Sequence, residues 1–244
     1  GRSPSGSYLG DFDMDGRFDV YSVSDDRWEL WHNRTGAKAG EFRFEGTVHI
    51  SGEAAYIAKA GGLCGNACDV NNDGRQDLFW VYSAQPGQGP HIFFNRGFRS
   101  FGHAHMIDVS ERTLLNLAEK QGQQNGIIAD FNGDGAQDMA FVLKNGDLYF
   151  FPRSVGNADP LAVRARLPLG GKVTGPVKVT GWNNRRCLGA WNVVAGTQEG
   201  FFGQMEPGEI KLKWRLPGED KDREAKAVLD DEDSLISIDL LKGK

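Results

Sequence analysis

Asp11–Val20 reads DFDMDGRFDV, Asp69–Leu78 reads DVNNDGRQDL and Asp130–Met139 reads DFNGDGAQDM. Each stretch places Asp or Asn at positions 1, 3, 5 and 9, with Gly at position 6. Oxygen-bearing side chains at alternate positions suit a hard divalent cation, which takes such ligands at about 2.3–2.6 Å. The side-chain candidates are Asp11, Asp13, Asp15 and Asp19 in the first loop and Asp69, Asn71, Asp73 and Asp77 in the second. The third loop supplies Asp130, Asn132, Asp134 and Asp138. Position 7 offers a backbone carbonyl, from Arg17, Arg75 and Ala136. Calcium is the expected occupant, one ion in each of the three loops, since magnesium keeps more of its water and needs a stricter octahedron.

An EF-hand begins in the same way but needs a bidentate Glu at position 12 and a helix on each side. Position 12 here is Ser22, Trp80 and Phe141. The loops run instead into DVYSVS, DLFWVYS and DMAFVL, rich in β-branched and aromatic residues and therefore strand-like. Net charge is −5, and the three loops alone carry ten aspartates, so the remainder of the chain is net positive. Carboxylates converging without a counter-ion repel and resist ionisation. A solvated Asp/Gly turn is the plain alternative for one such loop, and three in register argue against it.

The loops recur about sixty residues apart, a spacing that calls for a search for repeats. A further step reaches Gly181 in VTGWNNRRCLGAW, where Gly181, Asn183, Arg185 and Gly189 fall at positions 1, 3, 5 and 9. This reads as a fourth copy without its metal. After each loop come three strand-like segments, and one precedes it, so each unit is four strands joined by turns. Four strands every ~40–60 residues is the pattern of a β-propeller blade. The blades are placed at about residues 7–50, 63–109, 125–167 and 175–216, with a partial fifth over 225–241. The residue before each loop is small (Gly10, Cys68, Ala129, Thr180), as a crowded central axis requires. Leu9, Ala67, Ile128 and Val179, one further back, are expected to pack between blades.

The chain resembles the FG-GAP and VCBS repeats of integrin-α-like propellers, on D-x-[DN]-x-D-G-x-x-D in three copies and the turns Asn33–Gly36 and Asn95–Gly97. The resemblance runs from about Ser7 to Leu216. It implies an all-β propeller with calcium in the loops, and an extracellular, periplasmic or cell-surface location. It leaves function open, because such blades serve adhesins, lectins, lyases and assembly subunits alike. Propellers of this kind usually close with about seven blades, so the four and a part counted here are expected to belong to a larger ring.

Other residues are weighed against plain roles. Cys64 and Cys68 lie four apart, and on a strand they would be ~13 Å apart, too far for a disulfide without a turn at CGNAC. Cys187 reads as a small buried residue. His91, His103 and His105 are scattered, and HAH reads as an exposed strand face. Asn33 heads an NRT sequon, of meaning only in a eukaryotic secreted protein. Arg34, Arg96 and Arg153 recur beside Trp31, Phe93 and Phe150; the aromatics are expected in the packing and the arginines in solvent.

The sequence carries no G-x-S-x-G elbow, no H-E-x-x-H and no phosphate-binding glycine loop. No catalytic or organic-cofactor residue is assigned. The expectation is a calcium-stabilised binding module for a protein or glycan, with part of a propeller enzyme such as a polysaccharide lyase as the alternative. No apolar run approaches the ~20 residues of a membrane span, and no nucleic-acid partner is expected. The insertion SERTLLNLAEKQGQQNG from Ser110, with a short helix at its start, is the candidate contact element.

Overall fold

The computed structural model describes residues 4–24, 27–34, 42–47, 63–82, 91–97, 101–104, 123–143, 146–153, 161–173, 175–184 and 186–243. Among these residues the chain is all β, with no helix, and so with none long and apolar enough to cross a membrane. Residues 110–122 of the candidate contact element, His105 and Arg185 lie outside the described residues, and the element's last four residues, 123–126, belong to a strand.

The first two sheets have the expected meander. β1 (Pro4–Gly10), β2 (Asp19–Ser24), β3 (Arg27–Asn33) and β4 (Phe42–Thr47) pair in chain order. So do β5 (Leu63–Cys68), β6 (Asp77–Tyr82), β7 (His91–Asn95) and β8 (Phe101–Ala104). The third sheet holds β9 (Gln123–Ala129), β10 (Asp138–Leu143) and β11 (Leu148–Phe151). In all three, the loop joins the first strand to the second, and positions 1 and 9 sit at their facing ends. The residue before the loop pairs with its position 9: Gly10 with Asp19, Cys68 with Asp77, Ala129 with Asp138. The first strands of successive sheets lie side by side, β1 against β5 and β5 against β9.

Beyond β11 the strand order departs from the expected meander. β12 (Leu161–Arg166) reads as a fourth strand for the third sheet. It instead forms the middle of another, antiparallel to β15 (Gly200–Gln204) and parallel to β18 (Leu235–Asp239). β13 (Val177–Asn183) lies between β14 (Cys187–Val193) and β16 (Gly208–Trp214), and β17 (Arg223–Leu229) closes that sheet. The units placed at 175–216 and 225–241 are therefore not chain-order blades, because β15 and β18 both leave for the β12 sheet. Packing explains the exchange. β15, at the edge of its sheet, is buried along its whole length and β12, in the middle, nearly so, as strands covered on both faces are. The two sheets share one core, including Val163, Val179, Phe202, Ile210, Leu212 and Trp214.

One smaller expectation also changes. Leu9 is 61% exposed, whereas Ala67, Ile128 and Val179 are buried as expected. Cys68 is a free buried thiol at the end of an unbroken strand, which excludes the disulfide with Cys64, and Cys187 is likewise free and buried.

Candidate metal centre

The three loops share one backbone shape. Position 4 is left-handed in each, with φ of 60° at Met14, 56° at Asn72 and 82° at Gly133. Position 6 is left-handed too, at Gly16, Gly74 and Gly135 (83°, 77° and 85°), which is why glycine recurs there. These two reversals turn successive N–H groups toward the loop centre, where the carboxylates meet them.

Position 1 is the hub. Asp11 Oδ1 accepts from the Asp15 N–H at 3.0 Å and Oδ2 from Gly16 at 2.8 Å. Asp69 does the same with Asp73 and Gly74, both at 3.0 Å. Asp130 accepts from Gly133 and Gly135, at 2.8 and 3.1 Å. At position 5, Asp15, Asp73 and Asp134 accept from the N–H of position 7, at 2.9, 2.8 and 2.8 Å. Arg17 and Arg75 lean back on the same position-5 carboxylates, at 3.5 and 3.4 Å.

Position 9 works as a staple between strands. Asp19 accepts from Phe12 and Asn33, Asp77 from Val70 and Asn95, Asp138 from Phe131 and Arg153, all at 2.8–3.2 Å. One oxygen takes the position-2 N–H and the other takes the N–H at or just past the end of the third strand. A carboxylate offers about four lone-pair sites, so both oxygens keep capacity for a cation.

Asp11, Asp13 and Asp15 bring one oxygen each within 4.8 Å of one another, and so do Asp13, Asp19 and His32. Among the described residues, such triads of acidic or imidazole groups form in the first loop; the other two have an amide, Asn71 or Asn132, at position 3. His32 Nδ1 is 2.8 Å from Asp13 Oδ2 and 3.5 Å from Asp19 Oδ1.

Burial makes these charges costly. It is the main cause that pushes Asp11 up to about 8, opposed by the Gly16 N–H and reinforced by Asp15, Asp19 and Asp13. Burial likewise drives Asp69 to about 7 and Asp77 to about 8, each further raised by neighbouring aspartates. Asp19 rises to about 6 for the same first reason. At Asp13 burial pushes up, but the hydrogen bond and charge of His32 outweigh it and hold the group below its ordinary value. A divalent cation reverses this balance, since it rewards the ionised form. The donor set fits such an ion: hard oxygens, inward-facing, with Asp13 Oδ1 buried and meeting no hydrogen-bond donor among the described residues.

The sequence-placed fourth copy is a plain hairpin turn. β13 runs through Gly181 to Asn183, whose N–H donates to the Arg186 carbonyl at 3.0 Å. Gly181 is there because a Cβ would collide with the Phe202 ring.

Three groups at the site escaped sequence reasoning. Gln76 and Gln137 occupy position 8 of the second and third loops. Gln76 Oε1 accepts the N–H of Asp11 at 2.6 Å, and Gln137 Oε1 that of Asp69 at 2.8 Å. Each loop is thus tied to the hub of the one before it. The shared Gln-Asp pair in DGRQDL and DGAQDM was the available signal. His32 had none, as the equivalent places hold Phe94 and Pro152.

The C-terminal sheets close over the loops. Gln76 Nε2 donates to the Ala190 carbonyl at 2.8 Å, Arg186 donates to the Asp73 carbonyl, and Arg164 reaches the Gly133 carbonyl at 3.0 Å. Gly203 must be glycine, because a Cβ would lie 2.7 Å from Asp69 Oδ2 and 2.8 Å from Asn72 Cα. Of the recurrent arginines, Arg34 and Arg96 are exposed, while Arg153 turns inward to the Val70 carbonyl. Of the aromatics beside them, Phe93 is fully buried but Trp31 and Phe150 stay 36% and 48% exposed.

Three acidic loops of one shape, each between paired strands and linked in series by glutamine, define a β-rich repeat protein. The sequence matches the FG-GAP-like repeat over residues 11–80 and again over 69–141. The chain belongs to the FG-GAP repeat family. No curated protein matches it.

Proposed function

We propose that this chain is a β-propeller binding module, held in shape by calcium in its acidic loops, that engages a protein or glycan outside the cytoplasm. The loop-bearing sheets act as blades, and further blades of the same ring complete it. Support for the blade arrangement comes from the first strands lying side by side and from the glutamine links between loops. Support for calcium comes from buried aspartates whose ionised forms need a cation.

The observation that carries the binding role is a cavity of about 1240 Å³ between the first strands of the blades and the C-terminal sheets. Leu9, Ile127 and Phe131 line it and remain about half exposed or more (61%, 47% and 50%). Amides of Asn66, Gln137 and Asn192 share the wall. Apolar faces beside a few fixed hydrogen-bonding groups are what a ligand site offers, and sugar rings have matching faces and hydroxyls. Glycan arrays and protein pull-downs with the calcium-loaded chain test this. Binding lost in Phe131→Ser with an unchanged melting temperature supports it. Failure to retain any ligand, together with turnover of an acidic polysaccharide, replaces it with an enzyme.

A further inference from the structure

The three loops differ in which carboxylate meets a positive charge: Arg17 and Arg75 lean on position 5 in the first two, and in the third, among the described residues, a cation pairs with position 1. Arg164, on β12, places Nη2 3.2 Å from Asp130 Oδ2 and 3.0 Å from the Gly133 carbonyl. Both partners are largely shielded, with side-chain exposure of 15% for Arg164 and 6% for Asp130. The guanidinium therefore pairs directly with the hub carboxylate of the third loop, the group that would ligate an ion. In the second loop the visiting arginine, Arg186, donates to the Asp73 carbonyl, a position-5 backbone oxygen outside the donor set, and its charge acts on Asp69 without an ion pair between them. In the first loop the C-terminal region brings Gly189 against Asp11, and no described cation forms an ion pair with that carboxylate.

A calcium ion bound to Asp130 at about 2.3–2.6 Å would lie next to this guanidinium in a poorly screened site. Like charges that close repel, so one must yield. Arg164 has a second anion to move to: Nε is already 3.4 Å from Glu199 Oε2.

We propose that Arg164 takes the place of a metal ion in the third loop, so that the first two loops bind calcium tightly and the third only as the guanidinium withdraws. The inference rests on calcium occupying the acidic loops. It adds that docking of the β12 sheet and filling of the third loop compete.

The test is a calcium titration of the full chain, with the filled loops located by calcium anomalous scattering in crystals prepared at stepped concentrations. The expected result is density at Asp11 and Asp69 first, and at Asp130 only at tenfold or more higher calcium. Arg164→Gln should bring the third loop into the range of the other two, while Arg164→Lys should leave it weak. Simultaneous filling of all three loops in the unmutated chain overturns the proposal, as does an unchanged third site in Arg164→Gln. Should that variant fail to fold, the stepped series on the unmutated chain decides alone. An absence of calcium from every loop is a separate result, which overturns the calcium reading and this inference with it.

Discussion

The loop-bearing sheets and the C-terminal pair of sheets are held together by opposite means. Of the buried polar and charged residues among those described, all but Gln204 belong to the first region. They are mostly the aspartates of the loops with the amides and histidine around them. Its apolar packing is divided between Phe12, Tyr21 and Phe101 in one place and a cluster with Phe79, Met139 and Phe141 in another. The C-terminal sheets instead share a single core from Leu161 to Leu240, capped by the Trp214 Nε1–H bond to the Leu240 carbonyl at 3.0 Å. One region depends on charge compensation and the other on area removed from water. Their stabilities should therefore respond to different conditions.

The largest expected effect is that of metal removal. An ion bound only in the folded state adds about 2.7 kcal/mol per site at a hundredfold excess over Kd. Chelation should shift a first unfolding transition strongly down and leave a second, from the C-terminal sheets, nearly in place. Calorimetry with and without calcium resolves this. One transition moving as a whole would show the two regions to be a single cooperative unit, and no movement would show the loops to be simple turns.

A core truncation should do the reverse. Phe202 is fully buried among Val163, Val179 and Ile210. Phe202→Ala should cost about 3–5 kcal/mol, read in the calcium-insensitive transition. An equal loss in the calcium-sensitive one would erase the distinction between the regions.

The contrast also explains what sequence could convey. The loops were legible because spacing of ligand, glycine and ligand fixes local geometry, and local geometry is what a repeat encodes. The first two meanders came with them, since short turns leave a strand little choice of partner. β12 and β15 were misassigned because alternation marks a strand without naming its neighbour. Their burial on both faces was written in LAVRARL and GFFGQ, but a blade strand can read the same way. Gly181 misled for a related reason. Its role is to admit the Phe202 ring, and sequence offers no sign of a partner about twenty residues on.

pH should act with opposite sign on the metal-free and loaded loops. Asp11, Asp69 and Asp77 have folded values raised to about 8, 7 and 8, against about 3.9 unfolded. Between those limits the folded chain holds protons that the unfolded chain has released. In calcium-stripped protein the stabilisation is full below the unfolded value and is lost as pH rises through 7 to 8. The first transition should thus be higher at pH 5 than at pH 8 without calcium. With calcium it should be lower at pH 5, because protons then displace the ion. Melts of dialysed protein across this range would show whether the sign inverts, and a common sign in both states would contradict the charge argument.

The glutamine links should contribute less. Gln137→Ala leaves the buried Asp69 N–H without its acceptor, at a cost of about 1–3 kcal/mol. The loss belongs to the calcium-sensitive transition alone. Gln76 is different, since it accepts from Asp11 and donates to the Ala190 carbonyl across the boundary. Gln76→Ala should lower both transitions. If the two variants behave alike in calorimetry, the Ala190 bond does not couple the regions.

The smallest effect tests the boundary itself. Lys178 of β13 sits with Nζ 5.5 Å from the centroid of the Phe18 ring, at position 8 of the first loop. Phe18 stands where the other loops have glutamine, so the first loop has no amide to offer there. A cation over an aromatic face in a solvent-exposed place contributes about 0.5–1 kcal/mol. Lys178→Met keeps the aliphatic stem and removes the charge, so packing over the ring is retained while the electrostatic part is lost. The expected result is a small downward shift of the calcium-sensitive transition and none in the C-terminal one, since Lys178 points away from the shared core. A shift confined to the C-terminal transition would place the contact's energy in β13 itself. The contrast with Gln76 then locates the coupling: a buried amide that bonds both regions moves both, and an exposed charge over a loop aromatic moves the loops alone.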